Sequence, residues 1–158
     1  MNFRRIALTV FAAAATLAPS IARADIEPLL KDSKLTYSKN GDQFEVNMAI
    51  SPSQSRRVIL VESELGSTGV KYVRVVVIAA TYPKNAVPPA VTKMVATKWD
   101  KLPLGRVRLI EESLMLLVYE NDFFVEGASG ANLRLNVELA GILGGNIEKD
   151  ITAAKGEE

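Results

Sequence analysis

The chain has 158 residues, with 19 Lys and Arg against 18 Asp and Glu, and it contains neither cysteine nor histidine. The absence of these two residue types excludes Ser-His-Asp and Cys-His nucleophiles, disulfide bonds, and the usual zinc, copper and haem ligand sets. The near-balance of charge argues against a nucleic-acid-binding protein, which would show a basic excess.

The N-terminal residues have the pattern of a cleavable secretory signal peptide. Arg4 and Arg5 precede the apolar run Ile6–Ala18, and Ala22–Ala24 reads as an A-x-A cleavage site. We therefore predict a signal peptide over residues 1–24, cleavage after Ala24 and export to the bacterial periplasm. Cleavage would remove three arginines and no acidic residue, so the net charge would change from +1 to −2. We expect no membrane insertion after cleavage, because no later segment is apolar over the roughly 20 residues a span requires.

Residues 25–158 predict a single domain with a flexible C-terminal tail. Ile26, Leu29 and Leu30 share one face of a short first helix, and an Asn-Gly turn follows at residues 40–42. Apolar and polar residues then alternate over Phe44–Ile50, which is typical of a strand with one buried face. Two apolar runs predict the next strands, Arg57–Glu62 and Lys71–Tyr82, the latter apolar on both faces and therefore central in the sheet.

The second half predicts a helix, two strands and a final helix. Pro89–Leu102 has apolar residues at helical spacing, and Pro103 and Gly105 end it. Arg106–Ile110 and Leu114–Tyr119 predict a strand pair. The last segment fits both alternation and helical spacing, and we favour a helix because it is long and Ser129 offers a cap. The expected fold is α+β: an antiparallel sheet of about five strands packed with two to three helices, in the order α-β-β-β-α-β-β-α.

This order and several short motifs resemble the YbjN family, whose domain is similar to the type III secretion chaperone fold. The motifs are Leu29-Leu30, Leu35-Thr36-Tyr37, Asn40-Gly41-Asp42, Val87-Pro88-Pro89 and Leu102-Pro103-Leu104-Gly105-Arg106. The resemblance spans Ile26 to Asp150 and implies a non-enzymatic chaperone, adaptor or regulator, often dimeric, with no catalytic or cofactor-binding residues. The chain departs from the family in its export signal and at Thr97 and Asp100, where members often carry Asn-rich turns. The same periodicities also permit a cystatin-like or NTF2-like helix-on-sheet domain.

Carboxylates are the remaining candidates for catalysis. Glu111, Glu112, Glu120 and Asp122 lie on or beside the last two predicted strands, where a pair would suit general acid-base chemistry. Charged residues at hairpin ends are more often solvated caps, so we expect no enzyme, no cofactor and no metal.

Four residues are candidates for an interface. Trp99 and Met94 lie on the Pro89–Leu102 helix, where Trp99 is either a core or dimer anchor or a ligand-stacking group. Gly141 and Gly145 suggest close packing of the last helix on another backbone, although glycines also weaken helices and end them.

Arginines at strand positions form a further pattern. If the strands pair in sequence order, some of them would form a basic band on the exposed face of the sheet. Ordinary solvated positions are the alternative explanation. The arginines are Arg56, Arg57, Arg74, Arg106 and Arg108.

The sequence predicts a periplasmic module that binds another polypeptide, using its sheet surface or a helical groove. We also expect a homodimer, because strands that are apolar on both faces leave apolar surface for a partner to cover. Candidate dimer surfaces are the outer edge of the Pro89–Leu102 helix and the Gly141–Gly145 face of the last helix. The alternative function is a small-molecule (lipid or peptide) binding protein, or a minor hydrolase, with a cavity between helix and sheet.

Overall fold

The computed structural model describes residues 26–51 and 54–155, so the predicted signal peptide lies outside the described part of the chain. The described residues form three α-helices, six strands and one short 3-10 turn. In chain order these are α1 (Glu27–Ser33), β1 (Tyr37–Asn40), β2 (Gln43–Ser51), β3 (Gln54–Glu64), β4 (Lys71–Tyr82), α2 (Pro89–Thr97), the 3-10 turn (Trp99–Lys101), β5 (Arg106–Glu111), β6 (Met115–Phe124) and α3 (Gly130–Lys155).

All six strands join in one antiparallel sheet with the order β1-β2-β3-β4-β6-β5. The predicted α+β class is confirmed, and the element order is close to the predicted one. The sheet has six strands rather than about five, because β1 is a separate strand of four residues. Its four residues are one half-buried and three exposed, so the strand has no apolar–polar alternation to be recognised in the sequence.

The helices differ from the prediction at one point and agree with it at another. The predicted helix Pro89–Leu102 ends at Thr97, and Trp99–Lys101 forms the 3-10 turn. The ambiguous last segment is a helix of 26 residues, as favoured from the sequence. At about 1.5 Å per residue it is roughly 39 Å long, enough to cross the whole sheet. Within the described residues, no helix combines the length and the hydropathy that a bilayer span requires.

The main core lies between the sheet and the helices. β4 contributes Val73, Val75 and Val77, all fully buried, because alternate residues of a strand share one face. α3 covers them with its own buried stripe, and the 22 buried residues of this cluster include members of all three helices. Each fully buried Val or Leu stabilises the fold by about 1.5–3 kcal/mol. The stripe on α3 consists of Leu133, Val137, Ala140, Ile147 and Ile151.

Glycine allows α3 to approach the sheet closely. A Cβ atom on Gly144 would lie 2.5 Å from Cγ1 of Val77, which is closer than van der Waals contact permits. At the first residue of the helix, a Cβ on Gly130 would collide with the backbone of α1 at Ser33. The Gly130 N–H donates to Oδ2 of Asp32 at 2.9 Å, which ties α1 to α3.

The other end of α3 is attached to the 3-10 turn through Asp150. Trp99 is buried, and its Nε1 donates to Oδ2 of Asp150 at 3.1 Å. Lys98 Nζ lies 2.7 Å from Oδ1 of the same carboxylate. Burial of Asp150 opposes ionisation, but the hydrogen bonds from Lys98 and Trp99 outweigh it and lower the pKa of this carboxyl below its ordinary 3.8.

We expect Gly144→Ala to lower the free energy of unfolding by about 1–3 kcal/mol, because the added methyl group overpacks the contact with Val77. Asn146→Ala is the control, since Asn146 is exposed on the same helix and alanine there improves helix propensity by a few tenths of a kcal/mol. Urea unfolding of both variants measures the difference. A stabilised Gly144→Ala protein would show that α3 does not depend on this close approach.

The Asp150 contacts predict a pH dependence of stability. Folding lowers the pKa of Asp150, so its contacts contribute fully to the free energy of unfolding at pH values above the pKa of the unfolded chain. This contribution is lost as the pH falls through the lower pKa of the folded state. The stability difference between wild type and Asp150→Asn is therefore expected to be full at pH 7 and to shrink below about pH 3.8. Asp100→Asn, at an exposed position in the same turn, is the control. An Asp150→Asn difference that stays constant from pH 7 to pH 2.5 would contradict the prediction.

Candidate functional site

The face of the sheet opposite the helices, called here the outer face, has an apolar centre. Ile59, Val76, Leu116 and Val118 are buried there and form a second cluster, separate from the main core. Half-buried residues at its rim come from the strands and the β5–β6 turn, and no helix residue belongs to the cluster. The rim residues are Val61, Ile78, Ile110 and Leu114.

Five charged residues gather beside this apolar centre and are called here the Glu120 cluster: Arg74, Arg106, Arg108, Glu120 and Asp122. They meet because β6 lies between β4 and β5, with Glu120 paired to Val76 on one side and to Arg106 on the other. The Glu120 side chain is only 4 % exposed. All five are candidates named from the sequence: the two carboxylates as catalytic candidates and the three arginines as members of a basic band.

The geometry of the cluster centres on the buried carboxylate of Glu120. Its Oε1 accepts hydrogen bonds from Arg106 Nε at 2.5 Å and from Arg108 Nη1 at 3.0 Å, while Arg74 Nε lies 4.0 Å from Oε2. Arg74 donates to both oxygens of Asp122, at 2.8 and 3.5 Å. The hydrogen bond to Asp122 raises the pKa of Arg74. The carboxylates thus serve as acceptors that orient guanidinium groups across three strands.

The other candidates of the same type lie elsewhere. Glu111 pairs with Lys84 at 3.0 Å on the surface, and Arg57 pairs with Glu45 at 3.4 Å. Arg56 extends to the helix side instead, where its Nη1 donates to the Gly141 carbonyl at 2.7 Å. Within the described residues, no group of three or more acidic side chains is arranged to hold a metal ion.

The four candidate interface residues lie on the helix side of the sheet. Trp99 is a buried member of the main core, and Met94 is half-buried against the same core. Gly141 is buried, and its carbonyl accepts the hydrogen bond from Arg56 described above. Gly145 leaves space for the guanidinium of Arg56, which a Cβ atom at this position would contact. The glycine side of α3 therefore faces the sheet of its own chain.

A groove that was not predicted from the sequence runs along the β2 edge of the sheet. It encloses about 450 Å³ and is called here the edge groove. Its walls come from residues 34–36, from residues 46–49 and from Arg134, Glu138 and Ile142 on α3. The groove exists because β1 pairs only with residues 43–46 of β2, so the remainder of β2 is paired with β3 alone. The sequence contains a signal for this groove. The segment before the Asn-Gly turn is shorter than the alternating run after it, so the first strand cannot pair with the whole of the second.

Backbone groups of β2 face this groove. Gly41 has φ +60° and Asp42 does not have positive φ, as in a type II′ hairpin turn. The residues flanking such a turn, here Asn40 and Gln43, exchange their backbone hydrogen bonds, and the direction alternates along the strand. By this alternation, Asn47 and Ala49 direct their N–H and C=O groups towards the side that β1 leaves uncovered. No turn or loop backbone hydrogen bond from the described residues reaches either of them.

Comparison with known proteins found no family model, no curated protein and no solved structure that matches this chain. The edge groove and the Glu120 cluster are therefore the two features of the described residues that bear on function.

We expect Glu120→Ala to lower the free energy of unfolding by about 1–3 kcal/mol. The loss is smaller than for a fully buried ion pair, because the arginines left behind are half-exposed and water can solvate them. Asp122→Ala is the matched control, since this more exposed carboxylate should cost less than about 1 kcal/mol. Urea unfolding measures both changes. Equal, small losses would mean that Glu120 does not organise the cluster.

Proposed function

We propose that this protein is a periplasmic polypeptide-binding module of the chaperone or adaptor kind, and that it binds an extended segment by adding it to the sheet at β2. The observation that carries the proposal is the uncovered half of β2 beside α3. A strand edge with free backbone groups is a template for another extended chain, and recognition through the backbone tolerates many sequences. Such tolerance suits a protein that handles more than one partner.

The side chains of the edge groove favour an alternating segment. Val46 and Met48 face the helix side of the sheet, and Ile142 of α3 is 51 % exposed above them. Asn47 and Ala49 lie on the opposite face. A strand added here would direct alternate side chains towards Ile142 and Met48, so apolar residues fit those positions and polar residues fit the positions between them.

Charge at the rim adds selectivity rather than affinity. Arg134 pairs with Glu138 at 2.8 Å on the surface of α3, and Lys34 lines the other wall. The rim therefore has one excess positive charge. Exposed pairs of this kind contribute about 0–1 kcal/mol, so they set the preferred partner while backbone pairing and apolar contacts supply the binding energy.

The features read from the sequence support the same proposal. The signal-peptide pattern of residues 1–24 suits a periplasmic setting, and the resemblance to the YbjN family suits a chaperone or adaptor that acts as a homodimer. The half-buried apolar residues at the rim of the outer face, among them Ile78 and Ile110, add a surface at which two copies would bury apolar area.

The size of the edge groove favours one alternative function. Ligand pockets typically enclose about 300–1,000 Å³, and the groove falls in this range. A small amphipathic molecule seated between Met48 and Ile142 is therefore the competing proposal.

The test uses residues 25–158 and a permanently unfolded, reduced and carboxymethylated protein as the probe. We expect binding by fluorescence anisotropy, and Ile142→Glu should weaken it by about tenfold or more, because a charge replaces apolar contact in the groove. Leu135→Glu is the matched control: Leu135 is 53 % exposed on the same helix but does not line the groove. Equal effects of the two variants, or no binding by the wild type, would reject the groove as the binding site.

Backbone pairing is tested separately with a nine-residue peptide that alternates valine and threonine. An added strand uses the N–H groups of alternate residues only, so N-methylation of one alternate set should abolish binding while methylation of the other is tolerated. Tolerance of both sets would indicate side-chain docking instead. A thermal shift produced by lipids or sugars, without peptide binding, would favour the small-molecule alternative.

A further inference from the structure

The outer face offers a second surface that the edge groove does not use. The Glu120 cluster contains three guanidinium groups and two carboxylates, so one positive charge is in excess. Arg74 is committed to Asp122 by two hydrogen bonds. The excess charge therefore lies with Arg106 and Arg108, whose side chains are 52 % and 48 % exposed.

Most hydrogen-bond donors of these two arginines remain available. A guanidinium has five N–H groups, whereas within the described residues Arg106 and Arg108 each give one hydrogen bond, to the same oxygen of Glu120. Arg106 Nη2 also lies 4.0 Å from Oδ2 of Asp122, which is beyond hydrogen-bond distance. They lie two residues apart on β5, so both side chains are on the outer face. A carboxylate presents two oxygens to such donors and forms charge-assisted hydrogen bonds, which are about twice as strong as neutral ones.

The buried carboxylate of Glu120 prepares this pair for binding. Because Glu120 is held in the sheet, it fixes the position of both guanidinium groups before any ligand arrives. Pre-organised side chains lose less conformational entropy on binding than free surface arginines do. One arginine would be enough to balance the charge of Glu120. Two arginines donate to it, and a third, Arg74, is bound to Asp122.

Apolar residues adjoin the arginine pair. Val118 is paired with Arg108 across the strands, and Ile110 follows Arg108 on the same face of β5. A partner that buries Ile110 would remove water from the neighbouring guanidinium and strengthen its ion pair. Free small anions lack the apolar part that would use these contacts.

We propose that Arg106 and Arg108 form a docking site for an acidic side chain of a partner polypeptide, with an apolar neighbour of that side chain contacting Ile110. The site is independent of the edge groove, because it lies on the outer face of β5 at the opposite end of the strand order. The partner is thus defined by acidic residues placed among apolar ones.

The probe is a labelled ten-residue peptide that alternates glutamate with valine, compared with the same peptide carrying glutamine. Wild-type residues 25–158 should bind the glutamate peptide at least about tenfold more tightly, and Arg108→Gln should remove this preference. Raising the salt concentration should reduce it too, because exposed charges are screened over about 8 Å at physiological ionic strength. Arg108→Lys should restore it only in part, since lysine keeps the charge but not the planar fork.

Lys84→Gln is the matched control, because Lys84 is also 48 % exposed and pairs with Glu111 of the same strand. It should leave the preference unchanged, as should Ile142→Glu in the edge groove. Circular dichroism verifies that each variant is folded. Equal binding of the two peptides, no binding of either, or a loss on Lys84→Gln as large as on Arg108→Gln would overturn the proposal. If Ile142→Glu, and not Arg108→Gln, removed the preference for the glutamate peptide, the peptide would bind in the edge groove. That result would reject this inference and leave the proposed function intact.

Discussion

The close contact between α3 and β4 is the constraint on which the rest of the structure depends. α3 lies against Val77 at Gly144, where a hydrogen atom takes the place of a side chain. Because the helix is long and nearly rigid, this contact fixes both its ends. One end meets α1 at Gly130, and the other is bound to the 3-10 turn through Asp150. The direction of α3 over the sheet then determines where Ile142 stands relative to β2.

Arg56 shows how strongly this contact is reinforced. Its guanidinium lies between β3 and α3, where it donates to the Gly141 carbonyl and to Glu148. A bulkier residue at Gly145 would occupy the same space. Packing and hydrogen bonding therefore require the same small residues on one side of α3, and the outward side, with Ile142, is free to line a groove.

The three described helices all pack on one face of the sheet, so within the described residues the outer face is formed by the strands and the β5–β6 turn. Among the described residues, those packed against the four central residues there come from the strands and the β5–β6 turn. Beside them, the side chains of Arg106 and Arg108 are about half exposed, whereas the carboxylate of Glu120 is buried. Burial of Glu120 is acceptable in this setting because two guanidinium groups donate to its Oε1 and a third, that of Arg74, lies 4.0 Å from its Oε2. The two surfaces proposed to bind polypeptides thus follow from a single architectural fact, a two-layer fold with one layer of helices.

Local patterns in the sequence determined the class of fold, the central position of β4, and the helical nature of the last segment. Alternation and helical spacing are properties of neighbouring residues, so they are readable without a structure. The end of α2 at Thr97 was not readable, because Trp99 keeps helical spacing and leaves the helix to meet Asp150, 51 residues away along the chain. Tertiary structure alone decided the two candidate sites. The Glu120 cluster depends on the register of β6 between β4 and β5, and the edge groove depends on where β1 stops along β2. Each site is formed by segments that are far apart in the sequence. Strand pairing and packing between those segments decide where the side chains meet, and neither can be read from one segment alone.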